Sequence, residues 1–175
     1  QPDKSLFQKQ VEGVKACVDV AAKIRCPVVR VFGGEFAEGK TEAQCIGAIT
    51  EGLRQSVVRA EERGVTLALE NHGRITNNID TLMGILKEVG SESLKVNLDT
   101  GNFYWFGYKL SEVEAIFNKL APITVHTHMK NGTTQRREER RKPGEIKLVP
   151  LPEGDIDLAK AVNLLKARGY RGAIS

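Results

Sequence analysis

Val65-Thr66-Leu67-Ala68-Leu69-Glu70, Leu94-Lys95-Val96-Asn97-Leu98-Asp99 and Ile123-Thr124-Val125-His126-Thr127-His128 decide how this chain is read. Each run is short and strand-like, closes on an ionisable residue and gives way at once to loop residues. The intervals between them hold one helix each, so the strands are expected to lie parallel, joined by right-handed crossovers. Parallel strands bring their C-termini to one rim, where two carboxylates and an imidazole can form a divalent-metal site.

Alternation within the runs refines the fold. Residues two apart share a face of a strand. Thr66, Ala68 and Glu70 therefore oppose Val65, Leu67 and Leu69, and Lys95, Asn97 and Asp99 oppose Leu94, Val96 and Leu98. Thr124, His126 and His128 likewise oppose Ile123, Val125 and Thr127. An open sheet covered by helices on both sides would be apolar on both faces. One small or polar face and one aliphatic face instead predict a barrel, with the polar face turned to the lumen.

Outward from these runs, helix and strand keep alternating. Val11, Val14, Val18 and Ala21 mark a helix from Ser5 to about Ile24, and Val28 to Phe32 is a β-branched strand. Thr41 caps a helix reaching Arg63, and Asn77 or Asn78 caps one reaching Val89. An aromatic loop, Phe103 to Phe106, follows Asp99. Ser111 with Glu114 predicts a capping box for a helix to Leu120. A long polar loop, about residues 131–154, precedes a helix to Arg168 opened by Asp155 or Asp157, and Gly172 to Ser175 starts a fifth strand. No boundary interrupts this series, so residues 1–175 are expected to form a single domain.

Composition sets the broad limits. The chain has 175 residues, 41% hydrophobic and 27% charged, enough for a buried core. No run nears the roughly 18 apolar residues of a membrane span, and the N-terminus has no signal-peptide pattern. Cys17, Cys26 and Cys45 lack metal-knuckle spacing and suit reduced thiols, which predicts a cytoplasmic protein. A net charge of +4 permits an anionic partner without requiring one.

Four motifs in order resemble the xylose-isomerase-like TIM barrels, the sugar-phosphate isomerases and epimerases with their relatives the apurinic-site endonucleases. They are Leu67-Ala68-Leu69-Glu70-Asn71-His72-Gly73, Asn97-Leu98-Asp99-Thr100-Gly101-Asn102, His126-Thr127-His128-Met129-Lys130 and Glu153-Gly154-Asp155-Ile156-Asp157. The resemblance implies a TIM (β/α)8 barrel of which the chain supplies strands four to eight, since a whole barrel needs about 250 residues. It implies a metal held by Glu70, Asp99, His128 and a last-strand Glu expected beyond Ser175. It also implies Glu70 as the catalytic proton carrier and Mn, Mg, Co or Zn as the ion. Asn102 departs from the pattern, standing where many members carry a His.

The activity so implied is isomerisation or epimerisation of a small sugar, sugar phosphate or cyclitol through an enediolate. The substrate is then a small carbohydrate. Nucleic acid is disfavoured because an endonuclease zinc cluster needs more imidazoles than the 3 His present. A non-catalytic or truncated barrel is the other alternative. Candidate substrate contacts are His72 above the rim, Asn102, Lys130, Arg136 in a mixed-charge loop, and His126 one layer below His128. Each has a plainer reading: Glu70 as a paired strand-end acid, Asp99 as a turn cap, His128 as a core histidine, and the loop basics as solvated. The aromatic loop could stack on sugar carbons or simply pack. Five strands of a barrel leave two bare edges, so either further strands or a partner copy in a homo-oligomer is expected to cover them.

Overall fold

A computed structural model describes residues 4–175. Four parallel strands form one sheet in sequential order: β1 (Val28–Phe32), β2 (Thr66–Glu70), β3 (Leu94–Asp99) and β4 (Thr124–His128). They are preceded or joined by α1 (Lys4–Lys23), α2 (Glu42–Arg63), α3 (Ile79–Val89), the single turn α4 (Asn102–Phe106) and α5 (Leu110–Leu120). A small antiparallel pair, β5 (Asn131–Thr133) with β6 (Lys147–Val149), precedes α6 (Leu158–Ala167). This is the parallel, helix-covered architecture of a TIM barrel, here over the part of its circumference that the chain supplies.

Local chemistry sets the helix limits. The Thr41 hydroxyl accepts from the Gln44 amide at 3.2 Å while the Gln44 side chain accepts from Thr41 N at 2.9 Å, a complete capping box for α2. Gly64 ends that helix at φ 63°, a left-handed position that glycine takes without strain. Asn78, rather than Asn77, caps α3 through the Asp80 and Thr81 amides, both 3.1 Å away.

The strand faces divide as the alternation predicts. Leu67, Leu69, Val96 and Leu98 are buried in the core under the helices, with Val57, Leu82, Ile85, Val113 and Phe117. Ala68, Glu70, Asn97 and Asp99 are also buried, on the opposite, concave side. The concavity is real, because His128 on β4 lies 3.4 Å from Glu70 on β2 across the intervening strand. Neighbouring strands are about 4.8 Å apart, so side chains two strands removed meet this closely only inside a curled sheet.

The structure corrects several expectations. The fifth strand is reduced to a single parallel bridge between Thr127 and Ile174, supported by Ser175 Oγ donating to Thr127 O at 2.6 Å. A register shift between Val96 and Asn97 pairs Thr124 with Val96, so Thr124 leaves the polar row and its hydroxyl donates to Leu120 O at 2.9 Å. The aromatic loop is α4, with Phe103 and Tyr104 fully buried, so packing rather than display explains these two rings. Helix α5 starts before Ser111; Glu112 accepts from the Lys109 amide at 2.9 Å, while Ser111 Oγ donates to Glu138 and Glu114 pairs with Lys160. Asp157 caps α6, whereas Asp155 is a buried hub.

All three cysteines are free. Among the described residues no helix is long and apolar enough to cross a membrane.

Candidate metal centre

Glu70 and Asp99 are the last residues of β2 and β3, and His128 is the last of β4. The register sets Glu70 beside Asn97 and Asp99 beside His128, a stagger that brings all four side chains together at the rim. One donor atom from each of Glu70, Asp99 and His128 lies within 4.8 Å of the others. His128 Nδ1 is 3.4 Å from Glu70 Oε1 and 3.9 Å from Asp99 Oδ2. Both carboxylates are fully buried, while the imidazole keeps one side open.

The surrounding side chains hold the acids in place. Asp99 Oδ1 accepts from the Gly101 and Asn102 amides at 3.0 and 3.1 Å, which leaves Oδ2 facing the site. Asn71 grips the backbone of Asp99 from both sides: its Oδ1 accepts from Asp99 N at 2.8 Å and its Nδ2 donates to Asp99 O at 3.0 Å. Asn102 Nδ2 donates to Asn71 O at 2.8 Å and reaches Glu70 Oε1 at 3.5 Å. Asn97 Nδ2 donates to Glu70 Oε2 at 3.1 Å and stands 3.3 Å from His128 Nδ1. A side chain at Gly101 would bring a Cβ to 2.7 Å from Lys130 Cβ, so the turn after Asp99 has no room for one.

Two cations complete the rim. Arg30 on β1 pairs with Glu70 Oε2, and Lys130 Nζ lies 2.5 Å from Asp99 Oδ2. Burial pushes the Glu70 carboxyl up, but the hydrogen bond and charge of Arg30, with His128, outweigh it and hold Glu70 below its ordinary value. For Asp99 burial prevails: despite Lys130, and with repulsion from Glu70, its carboxyl is raised. Burial, then the charges of His128 and Arg30, lower His126.

Of the residues singled out in the sequence, Glu70, Asp99, His128, Asn102 and Lys130 converge here. His126 lies against His128, ring edge to face at 5.5 Å. His72 is exposed, with its ring 4.9 Å from that of Phe32. Arg136 engages Glu139 at 2.7 Å and Glu145 at 3.4 Å, partners outside the centre.

Sequence reasoning passed over Arg30 and the holding roles of Asn71 and Asn97. The signal for Arg30 was available, since a lone charge in Val28-Val29-Arg30-Val31-Phe32 must choose a face. In the observed register Arg30 pairs with Ala68 and so faces the lumen.

This fold is that of a TIM barrel, and the chain belongs to the xylose isomerase-like TIM barrel family, whose sequence profile matches residues 1–175. It is 24% identical over 174 residues to the L-ribulose-5-phosphate 3-epimerase UlaE of Salmonella typhi, covering 97% of this chain and 56% of the relative. The chain thus spans little more than half the length of that relative. Among solved structures it resembles a D-tagatose 3-epimerase-like protein (TM-score 0.80, 22% identity), covering 100% of this chain and 64% of the other. It also resembles a xylose isomerase-like TIM barrel protein from Mycobacterium smegmatis in complex with magnesium (TM-score 0.77, 16% identity), covering 95% and 59%. The chain is therefore related, at low identity, to sugar epimerases and isomerases.

Proposed function

We propose that Glu70, Asp99 and His128 hold a divalent metal ion and that the site isomerises or epimerises a small carbohydrate by moving a proton beside a carbonyl. The observation that carries this reading is the meeting of two fully buried carboxylates and an imidazole within 4.8 Å at the strand ends. Donors around a tetrahedral ion at about 2.0–2.2 Å lie about 3.3–3.6 Å apart, so the donors would close by about an ångström on loading. Two oxygens and a nitrogen suit Mn, Mg, Co or Zn. The buried Asn97 Oδ1 has no hydrogen-bond partner among the described residues, a further polar atom that a hydrated ion would satisfy.

When bound, such an ion would polarise the substrate carbonyl and stabilise the developing enediolate. The remaining work falls to the chain's own side chains. Glu70, held ionised by Arg30, serves as the base that takes the proton from carbon. Asp99, with one oxygen fixed by two amides, presents the other toward the centre. Asn97 fixes the plane of the Glu70 carboxylate, and His126 packs behind His128 to set its ring. His72, Asn102 and Lys130 are the proposed substrate contacts; Arg136, held by two glutamates in its own loop, is left outside this proposal. The kinship with a ribulose-phosphate epimerase supports a sugar as substrate.

The test is solvent exchange. The purified protein, supplied with Mn²⁺ and a ketopentose phosphate in deuterated water, should place deuterium on the carbon beside the carbonyl, and chelation should stop it. Exchange that is absent with metal, or unchanged by chelation, would count against the proposal.

A further inference from the structure

Main-chain pairing stops short of the rim. The pairing of β2 with β3 ends at Glu70 and Asn97, and that of β3 with β4 ends at Asp99 and His128. Asp99 therefore lies two residues beyond the last residue of β3 that β2 supports, and Lys130 lies two beyond the last paired residue of β4. A strand end past its last main-chain bond is free to fray, and donors carried there would lose their spacing.

Two side chains take over where the backbone stops, and they do so with the same offset. Asn71 follows Glu70; its side-chain amide accepts from Asp99 N at 2.8 Å and donates to Asp99 O at 3.0 Å. Thr100 follows Asp99; its hydroxyl accepts from Lys130 N at 2.9 Å and donates to Lys130 O at 2.7 Å. In both cases the residue after a strand-end acid grips the N–H and C=O of the residue two past the last pair on the next strand. These are the groups that a further step of the parallel ladder would satisfy. The Thr100 amide adds a bond to His128 O at 3.0 Å. Asn71 and Thr100 are both fully buried. Met129, which follows His128, has no side-chain N–H or O–H with which to repeat the device.

We infer that Asn71 and Thr100 are positioning residues, side-chain staples that fix the spacing of Glu70, Asp99 and His128 so that the centre selects its ion by size. The inference rests on the metal reading above. With the strand ends fastened, the donors close on an ion by side-chain torsion, and the staples set the span they can cover. A small ion bound at about 2.0–2.2 Å suits a held, narrow span. Ca²⁺ wants oxygens at about 2.3–2.6 Å and about six to eight of them, so it gains when the strand ends can part.

The test is titration with Mn²⁺ followed by electron paramagnetic resonance, with Ca²⁺ as competitor, in the parent, Thr100→Val and Thr100→Ser. Valine keeps the shape of threonine and removes both hydroxyl bonds, whereas serine keeps the hydroxyl. T100V should lose about tenfold in Mn²⁺ affinity, the lower end of the range for groups that orient ligands. It should lose less for Ca²⁺, so that the parent's preference for Mn²⁺ narrows about threefold or more. A general loss of fold would weaken both ions alike. T100S should return both values to within about threefold of the parent. In the metal-free protein, hydrogen exchange should quicken at the Lys130 amide in T100V and at the Asp99 amide in Asn71→Leu. The threonine pair decides should the Asn71 variant not fold.

A T100V protein with the parent's affinity and preference, or one weakened equally for both ions, would overturn the staples alone. So would a T100S protein as weak as T100V. Failure of the parent to bind Mn²⁺ would overturn the metal reading and the role of the staples with it.

Discussion

Asn97 illustrates how much of this centre depends on side chains that are not themselves donors to an ion. It is fully buried, holds Glu70 Oε2 through its amide and leaves its own carbonyl oxygen without a partner among the described residues. Replacing it with Ala should weaken metal binding about 10- to 100-fold, the usual effect of losing a group that orients a ligand, with circular dichroism unchanged. Glu70→Gln acts on the chemistry itself: isotope exchange should fall by about 10²-fold or more while the protein stays folded. Exchange retained in that variant would argue against Glu70 as the proton carrier. The strand-end acids and His128 could be read in the sequence because each stands where an apolar run stops. Arg30 was harder, since its ion pair crosses 40 positions and only the strand register brings it to Glu70.

The connection between β5 and β6 shows what an element can hide in a polar composition. Arg136 to Lys142 reads as a solvated loop, yet Arg141 is buried, donating to Tyr104 O, Tyr108 O, Arg136 O and Glu139 O and lying over the Tyr104 ring. Asp155 fastens the next turn, accepting from the Tyr104 hydroxyl at 2.8 Å and the Thr134 amide at 2.9 Å. Neither role follows from local pattern, because both depend on carbonyls and rings brought in by α4. Arg141→Met should cost about 1–3 kcal/mol and quicken tryptic cleavage at Arg136, Arg137 and Arg140. Cleavage at the parent's rate would show that the buried guanidinium does not fasten this loop.

A quieter case is Glu112, in the first turn of α5. Burial raises its carboxyl, but the Lys109 amide and Arg140 outweigh that and hold it low. A folded-state value below the unfolded one of about 4.3 gives stability that is present above that pH and lost as the pH falls through the folded value. Glu112→Gln should therefore narrow the difference in urea midpoint between neutral and strongly acid pH. An unchanged difference would remove Glu112 from the acid sensitivity.

At the scale of the molecule, sequential parallel order and a polar concave face were both legible, because they follow from strand spacing and alternation. The register shift at Val96, which drops Thr124 from the polar row, was not, since nothing in either strand alone marks it. Strand β1 has no partner on its outer edge among the described residues, and Phe32 at its end is 49% exposed. Unpaired edge groups invite another strand. Residues 1–175 expressed alone should therefore self-associate in light scattering, and a stable 19.3 kDa monomer would contradict that expectation.

Whether Glu70, Asp99 and His128 make one metal site is decided by equilibrium titration of chelator-stripped protein with Mn²⁺, followed by electron paramagnetic resonance. The parent should take up one ion per chain, with a loss of affinity of about 100-fold or more in both Glu70→Gln and Asp99→Asn, by analogy with the lesser cost of losing groups that only orient ligands. A parent that takes up no ion, or variants that take it up as the parent does, would contradict the proposed site.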